Sequence, residues 1–191
     1  PAPAISIIVP AYNAERSLAR TLQSVRDQTL AEWECIVIND GSTDRTLDLA
    51  REGAALDHRI TVLHQENAGV CAARNAGIAR ARAPWILFLD SDDTIAATHL
   101  ALLLHAGQRH DGADLIYCDW RHAGIDGKPG DRHRVEVSLD PFTAFARNCA
   151  FPIHAALTRT RALRSLGGFD TALRMCEDWD LWQRLARSGH V

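Results

Sequence analysis

The sequence predicts an α/β fold with a mostly parallel central sheet flanked by helices. Short apolar segments alternate with amphipathic segments along the first half of the chain. Strands that are apolar throughout are buried on both faces, as in parallel sheets that are covered by helices. Polar clusters follow three of these apolar segments, and sheets of this kind bind ligands at the carboxyl ends of their strands.

Four apolar segments of the first half are expected to be strands, at residues 5–9, 34–38, 60–63 and 85–89. Helices are expected between them, because apolar residues recur there at helical spacing or because Ala and Arg dominate. These helical segments are marked by Leu18, Leu22 and Val25, by Leu47, Ala50 and Ala54 after a cap at Ser42 or Thr43, and by residues 72–83 before Pro84.

The second half predicts a smaller, mixed region of strands and helices. A strand is expected at residues 114–120, a hairpin tip at 124–131 and a returning strand at 135–139. A helix, a strand, a second helix and a last helix are then expected at residues 142–148, 153–158, 161–166 and from 177 onward.

Composition and charge exclude several classes of protein. The 191 residues are 47% hydrophobic and 24% charged, with a formal net charge of −3. This balance is typical of one globular domain, with no broad basic surface for nucleic acid and no polybasic membrane anchor. No apolar run reaches the roughly 18–20 residues of a transmembrane helix. We therefore expect no nucleic-acid partner and no membrane span in this chain, while peripheral membrane contact stays open.

The cysteines and histidines do not form a recognisable metal or hydrolase motif. Five cysteines are far apart and form no Cys-x-x-Cys pair, so we interpret them as reduced, mostly buried thiols of a cytoplasmic protein. Nine histidines include no HExxH motif, and neither a GxSxG elbow nor a Walker A sequence occurs. His154 is expected to be a surface or packing residue, although it can also lie near the site.

Three carboxylates within residues 90–93 form the most informative cluster. Asp90, Asp92 and Asp93 repel one another, and a divalent cation with a preference for oxygen ligands, Mg²⁺ or Mn²⁺, relieves that repulsion. Asp90 and Asp92 point the same way in an extended segment, so both can address one ligand. The alternative is a helix N-cap at Asp93 or Thr94. One capping residue does not explain three acids.

Two residues at other strand ends are candidates for nucleotide contacts. Asp40 follows the second strand and can accept hydrogen bonds from a base or a ribose, or it can belong to a turn before a capped helix. Tyr12 follows the first strand and can stack on a base, although this residue taken alone favours a loop tyrosine with its hydroxyl in water.

Arg74 and Asp178 lie at or near expected helix starts. Arg74 follows a glycine-containing segment and can reach a phosphate, whereas we interpret Arg80 and Arg82 as solvated. Asp178 stands between two acids and beside Trp179, and both neighbours favour a raised pKa. A carboxylate so placed can take a proton from an attacking hydroxyl, or it can simply favour the N-terminus of its helix.

Taken together, these clusters resemble those of the family 2 glycosyltransferases, inverting enzymes with the Rossmann-like GT-A fold. The matching stretches occur in the order of the family and span nearly the whole chain, at residues 5–15, 37–44, 67–69, 73–77, 88–93, 167–170 and 177–182. Each motif is weak by itself, and the ordered set is highly specific.

The resemblance implies a role for each matching position. Pro10, Tyr12 and Glu15 would surround the nucleotide, with Tyr12 against a uracil ring, and Asp40 would bind the base. Arg74 would lie near the base and the phosphates. Asp90 and Asp92 would form the DxD motif, with Asp90 near the ribose and Asp92 on a Mn²⁺ or Mg²⁺ ion. Asp178 would be the catalytic base.

The resemblance further implies transfer of a sugar from a nucleotide diphosphate sugar, expected to be a UDP-sugar, to an acceptor hydroxyl. The acceptor would be a glycan, a lipid-linked molecule or a small molecule in polysaccharide, cell-surface glycan or glycolipid synthesis, in the cytoplasm or at the inner face of the membrane. Two alternatives stay open: a donor-binding domain of a larger protein with little activity alone, and a sugar nucleotidyltransferase. The segment after the first strand lacks the Gly-rich basic loop that is typical of nucleotidyltransferases.

The domain organisation expected from the resemblance is one GT-A domain over residues 1–191. About 1–93 would form the half that binds the nucleotide-sugar, and about 94–191 the acceptor and catalytic half. Gln183 and Arg184 do not continue into the Gln-x-x-Arg-Trp motif of the processive synthases. We also expect the chain to lack a C-terminal segment that many relatives use for acceptor and membrane contacts.

Overall fold

The computed structural model describes residues 2–123, 129–135, 140–147, 149 and 151–187, without the side chains of residues 123 and 129. The first half alternates strands and helices as expected. These elements are β1 (Ile5–Ala11), α1 (Leu18–Arg26), β2 (Trp33–Asp40), α2 (Thr46–Leu56), β3 (Ile60–Gln65), α3 (Val70–Arg80), β4 (Trp85–Phe88) and α4 (His99–Arg109).

The central sheet has the strand order β3-β2-β1-β4-β8-β5, where β5 is Leu115–Tyr117 and β8 is Ala156–Arg159. The first four strands of this order are parallel, and β8 is antiparallel to both β4 and β5. The observed mixed α/β fold with a mostly parallel sheet confirms the predicted fold class.

Both faces of the sheet are buried, which explains why its strands are apolar throughout. Along β1, Ile7 packs into the core on one face and Ile8 into the core on the other, because neighbouring strand residues point to opposite faces. Gly77 of α3 allows this helix to pack closely on β1, since a Cβ at that position would lie 2.5 Å from Ile8 Cγ2.

The second half departs from the predicted boundaries. Its other elements are β6 (Trp120–Ala123), β7 (Pro129–His133), α5 (Pro141–Arg147), a 3₁₀ turn (Ile153–Ala155), α6 (Thr160–Ser165) and α7 (Glu177–Arg187). The single strand expected at 114–120 is two strands in different sheets, because β6 leaves the central sheet and pairs with β7. The return strand is β7 rather than 135–139, of which residues 136–139 lie outside the described residues, as do residues 124–128 of the expected hairpin tip.

The expected helix cap at Ser42 or Thr43 and the alternative cap at Asp93 or Thr94 are both wrong. The helix α2 begins at Thr46, and the carboxylate of Asp44 accepts from the Thr46 N–H at 2.9 Å, so neither Ser42 nor Thr43 caps it. The helix α4 begins at His99, five residues after Thr94, so N-capping does not explain the acids at 90–93. Within the described part of the chain, no helix has the length and apolar character needed to cross a membrane.

Candidate functional site

A cavity of about 500 Å³ lies at the carboxyl ends of β1, β2 and β4, beside the N-terminus of α3. Six of the residues singled out from the sequence line it: Pro10, Tyr12, Asp40, Arg74, Asp90 and Asp92. Asn67, Gly69, Val70 and Glu177 lie beside them. Parallel strands bring their carboxyl ends to one edge of the sheet, and this explains why residues so far apart in sequence meet here.

The loop after β1 is fixed to the loop after β2. The backbone N–H of Asn13 donates to Ser42 Oγ at 3.0 Å, and the Thr43 N–H donates back to Asn13 Oδ1 at 2.9 Å. Asn13 has a φ of 49°, in the left-handed region that Asn tolerates better than most residues. These bonds position Tyr12, a residue that is 53% exposed and lines the cavity.

Asp40 is buried and holds the chain that leads into α3. Its Oδ1 accepts from Gln65 Nε2 at 2.7 Å and from the Ala68 N–H at 3.0 Å, while Oδ2 accepts from the Gly69 N–H at 2.9 Å. A carboxylate offers about four acceptor positions, so these three bonds leave room for one more. Asp40 therefore has a structural role in this loop, whatever it binds in the cavity.

Arg74 is almost fully buried and lies between two carboxylates. Its Nη2 donates to Asp90 Oδ1 and its Nη1 to Glu177 Oε1, each at 2.8 Å. Burial alone lowers the pKa of an arginine, but the attraction and hydrogen bonds of Asp90 and Glu177 outweigh it and raise the pKa of Arg74. Both terminal nitrogens thus have carboxylate partners within the protein.

The two carboxylates of the 90–92 segment differ in exposure. The side chain of Asp90 is 37% exposed, and one of its oxygens accepts from Arg74. Asp92 is exposed, and both residues line the cavity. Asp93 turns elsewhere, since its Oδ2 lies 2.9 Å from His154 Nδ1. Two of the three acids therefore face the cavity.

Glu15 and Asp178 are not among the residues that line the cavity. The Glu15 carboxylate accepts from the Arg45 N–H at 3.3 Å, and its own N–H donates to Asp44 Oδ2 at 3.1 Å, so Glu15 connects two loops. Asp178 is half-buried in the first turn of α7, where its Oδ1 accepts from the Trp179 N–H. Its Oδ2 lies 3.7 Å from Cys149 Sγ.

Burial, followed by the charge of Glu177, raises the pKa of the Asp178 carboxyl, while the Trp179 N–H opposes this shift. The direction agrees with the one expected from the sequence, although burial contributes more than the acidic neighbour. Burial raises the pKa of the Cys149 thiol to about 12, and the Asp178 charge adds to this shift, so Cys149 faces Asp178 as a neutral thiol.

The sequence matches the family model described as glycosyl transferase family 2 over residues 6–167, well over half of the chain. The chain belongs to glycosyl transferase family 2.

Curated relatives carry related descriptions. This family 2 chain is 42% identical over 118 residues to the putative glycosyltransferase EpsH of Bacillus subtilis, covering 62% of the chain and 34% of that protein. It is 32% identical over 182 residues to a PGL/p-HBAD biosynthesis glycosyltransferase of Mycobacterium bovis, covering 94% of the chain and 68% of the relative. The chain spans about a third of the length of several curated relatives it matches.

Solved structures share the fold of this family 2 chain. Staphylococcus aureus TarS 1-349 in complex with UDP-GlcNAc superimposes with a TM-score of 0.75 at 24% identity, covering 95% of this chain and 53% of TarS 1-349. The mannosyltransferase PcManGT of Pyrobaculum calidifontis, in complex with GDP-Man and Mn²⁺, gives a TM-score of 0.75 at 19% identity over 100% of this chain and 54% of its own. At these identities the likeness shows the GT-A fold.

Asp90 and Asp92 offer carboxylate oxygens at the cavity, which are ligands of the kind that divalent cations such as Mg²⁺ prefer. Within the described ranges, no group of three or more His, Cys, Asp and Glu side chains is arranged to hold a metal. Mg²⁺ commonly takes only one or two carboxylates and completes its shell with phosphate oxygens and water. Asp90 and Asp92 supply that number of carboxylates, and one of them is exposed.

Two contacts at this site were not expected from the sequence. Glu177, expected only as an acidic neighbour of Asp178, lines the cavity and pairs with Arg74, which is 103 residues away in sequence. His154, expected to be a surface or packing residue that can also lie near the site, contacts Asp93. No local pattern signals either pair, because each joins distant parts of the chain. The side chain of Arg82 is 71% exposed, as expected from the sequence, and it also pairs with the buried Glu34 at 2.7 Å.

Proposed function

We propose that this chain binds a UDP-sugar in the cavity at the strand ends and transfers the sugar, with inversion, to an acceptor hydroxyl. One observation carries the proposal. One cavity is lined by four residues that lie at or just after the ends of three different strands, namely Tyr12, Asp40, Asp90 and Asp92. The parts of such a donor suit an aromatic side chain for the base, an acceptor for a base N–H, one carboxylate near the ribose and one that holds a cation on the diphosphate.

The base end of the donor is assigned to Tyr12 and Asp40. Tyr12 is exposed enough to stack on a ring, and Asp40 Oδ2 carries only one of the three hydrogen bonds to this carboxylate. That oxygen can accept from the N3–H of uracil. A purine does not present the same donor in the same place, so uridine nucleotides are the favoured donors in this proposal. Pro10 lines the same wall, and Glu15 supports the loop from behind.

The diphosphate end is assigned to the 90–92 segment. Asp92 would hold Mn²⁺ or Mg²⁺, with Asp90 near the ribose and Arg74 behind it. When bound, such a cation neutralises the charge that develops on the diphosphate leaving group. Arg74 keeps Asp90 oriented, because its Nη2 is bonded to one oxygen of that carboxylate and leaves the other oxygen free of Arg74.

The chemical step is a single displacement at the anomeric carbon. The acceptor oxygen attacks from the side opposite the diphosphate, the bond from the anomeric carbon to the diphosphate oxygen breaks, and nucleoside diphosphate leaves. Asp178 takes the hydroxyl proton. Its raised pKa and its place next to Glu177, which lines the cavity, support this role.

The two halves of the chain have different roles in this proposal. Residues up to about 93 would bind the donor, and residues from about 94 onward would bind the acceptor and supply the base. Glu177 lines the donor cavity from the second part, so the two parts would share the site. The acceptor would be a glycan, a lipid-linked molecule or a small molecule. The cysteines of the described residues are free thiols, as in proteins of reducing compartments, and this supports a location in the cytoplasm or at the inner face of the membrane.

Thermal shift with UDP, GDP and ADP, each with Mn²⁺ and with a chelator, tests the donor proposal. UDP with Mn²⁺ should give the largest stabilisation, since a ligand that binds only the folded state raises the melting temperature by mass action. A larger shift with GDP or ADP would overturn the assignment of the base.

A second candidate is a domain that binds the donor and transfers little alone. Asp178, the proposed base, does not line the donor cavity, and this observation favours the alternative. Product analysis separates the two functions. A new glycoside that forms together with free UDP supports transfer, whereas free sugar without a new glycoside supports the binding domain.

A further inference from the structure

A row of polar side chains on α1 and just after it holds the segment that follows β4. Thr21, Ser24 and Gln28 follow one another at intervals of three and four residues, which places them in one row. Ser24 Oγ accepts from the Ile95 N–H at 3.3 Å, and Gln28 Nε2 donates to the Ala96 carbonyl at 2.8 Å. Thr21, at the N-terminal end of the row, instead contacts the turn that carries the candidate metal ligand.

This turn places Asp92 through the backbone rather than through its side chain. The Asp93 N–H donates to the Asp90 carbonyl at 3.1 Å, so Ser91 and Asp92 are the central residues of a β-turn rather than part of the extended segment expected from the sequence. Arg74 holds the Asp90 carboxylate directly. Within the described part of the chain, the Asp92 carboxylate has no hydrogen bond or ion pair of its own. Its position therefore depends on what fixes the turn.

The hydroxyl of Thr21 donates to the two carbonyls on either side of Asp92. Thr21 Oγ1 lies 2.9 Å from the Ser91 carbonyl oxygen and 2.8 Å from that of Asp93, so its single proton is shared between two acceptors in a three-centre bond. The carbonyl of Asp92 itself accepts from Arg20 Nη2 at 3.2 Å. Two adjacent residues of α1 thus hold three consecutive carbonyls of the turn.

Thr21 presents its hydroxyl from a rigid and buried position. The residue is fully buried, and Leu18 and Leu22 beside it anchor α1 in the core against the sheet. A threonine hydroxyl in a helix commonly donates to the carbonyl one turn earlier in the same helix. The hydroxyl of Thr21 reaches across to another segment instead, which is the arrangement expected of a side chain that fixes that segment.

We infer that Thr21 is a positioning residue for the donor site, and that its hydroxyl sets the place of the Asp92 carboxylate by holding the carbonyls of Ser91 and Asp93. The inference rests on the proposed function, in which Asp92 holds Mn²⁺ or Mg²⁺. Removing a group that orients a metal ligand typically costs about 10–100-fold in metal affinity. Because Thr21 acts through the backbone of the turn, we expect a loss of about tenfold, at the lower end of this range.

Three substitutions separate the placement of Asp92 from a general loss of stability. Thr21→Val keeps the shape of the side chain and removes the hydroxyl, whereas Thr21→Ser keeps the hydroxyl and removes the methyl group. Ser24→Ala is the matched control, because it removes a hydroxyl from the next position of the row and leaves the Ile95 N–H without this bond. It leaves the Thr21 hydroxyl in place.

The experiment measures UDP affinity by calorimetric titration, once in Mn²⁺ and once in a chelator, together with the melting temperature. Thr21→Val should lose about tenfold in UDP affinity in Mn²⁺ and little in the chelator. Thr21→Ser should keep most of the wild-type affinity in Mn²⁺. Thr21→Val and Ser24→Ala should both lower the melting temperature by a few degrees, since each removes a hydroxyl contact, but Ser24→Ala should keep the UDP affinity in both conditions.

UDP affinity of Thr21→Val equal to that of the wild type in Mn²⁺ would overturn the inference. An equal loss in Ser24→Ala would also overturn it, because any loosening of the segment would then have the same effect. So would a Thr21→Val chain that does not fold, since the hydroxyl would then serve the whole fold. The wild type alone tests the proposed function: if its UDP affinity did not depend on Mn²⁺, the metal assignment would fail before any variant is compared. The two failures are therefore distinguishable.

Discussion

The guanidinium of Arg74 donates to two carboxylates at once, that of Glu177 in the first turn of α7 and that of Asp90 just after β4. The side chain of Arg74 is only 4% exposed, so these contacts are largely shielded from water. The proposed donor site and the helix that carries the proposed base are thus joined by one buried cation.

Replacing Arg74 by Met should destabilise the protein and weaken UDP binding together. Breaking a buried ion pair from one side leaves a charge uncompensated and typically costs about 3–5 kcal/mol. The partial exposure of Asp90 places the expected loss at the low end of that range. Arg74→Lys should rescue only part of it, since an ammonium does not reproduce the two-sided contact of a guanidinium.

Chemical denaturation and UDP titration of the same variants measure both effects. Arg80→Met is the matched control, because Arg80 is exposed on the same helix and should change neither quantity. Full stability in Arg74→Met would show that the bridge is not needed to hold α7 in place.

Glu177 should make the stability of the wild type fall in acid. Burial by itself raises its pKa, but backbone hydrogen bonding and Arg74 outweigh burial and lower the pKa below the usual 4.5. A carboxyl with a lowered folded pKa stabilises the fold above its unfolded pKa, and this stability is lost as the pH falls through the folded value. Glu177→Gln should therefore show a flatter loss of melting temperature below about pH 4.5 than the wild type. Identical pH profiles of the two proteins would contradict this expectation.

The predictability of this molecule differs between its two halves. The strands β1, β2 and β4 were evident from the sequence because burial on both faces requires continuous apolar runs, as at residues 5–9. Short exposed strands such as β6 and β7 have no such requirement, so hydrophobicity did not locate their ends.

The same distinction applies to the site. Strand ends meet at one edge for topological reasons, so the shared cavity of Asp40 and Asp90 followed from the strand positions. Tertiary packing determines which carboxylate lies beside a given basic side chain. No local spacing in the sequence indicates the pair of Arg74 and Glu177 or the pair of His154 and Asp93.

Asp92→Asn should weaken UDP binding in Mn²⁺ and leave it nearly unchanged in a chelator. Asp92 is exposed and lines the cavity, so the substitution removes a negative charge without opening the core. Asp48→Asn, an exposed substitution in the first turn of α2, controls for the change in net charge. Calorimetric titration of UDP in both conditions gives the comparison. Equal affinity of the wild type and Asp92→Asn for UDP in Mn²⁺ would contradict the assignment of Asp92 as a metal ligand.

Asp40→Asn should destabilise the segment that leads into α3 and should also reduce the preference for UDP over GDP. The carboxylate accepts three hydrogen bonds, and the amide nitrogen of Asn faces at least one of those donors as a second donor. An unsatisfied buried group costs about 1–3 kcal/mol. Gln65→Met removes only the side-chain donor, so it should reduce stability less and keep the preference for UDP over GDP. Loss of that preference in Gln65→Met would indicate that loop geometry, rather than Asp40 itself, selects the base.

Asp178→Asn should lose turnover without losing stability. General-base catalysis typically contributes about 10²–10⁴-fold, and an amide cannot take the proton, so kcat should fall by roughly that factor. Burial and Glu177 raise the pKa of Asp178, and a carboxyl with a raised folded pKa destabilises the fold at pH values where it is ionised. Removing that charge should hold the melting temperature at pH 7 constant or raise it. Asn can still accept a hydrogen bond from the Trp179 N–H, so the first turn of α7 keeps this bond.

Asp180→Asn is the matched control on the same turn. Because Asp180 pairs with Arg184, this substitution should cost a little stability and leave kcat intact. Transfer rate and melting temperature, measured on both variants with one acceptor, separate the two roles. Unchanged turnover in Asp178→Asn would move the base to another residue, and Glu177, which lines the cavity, would be the next to replace.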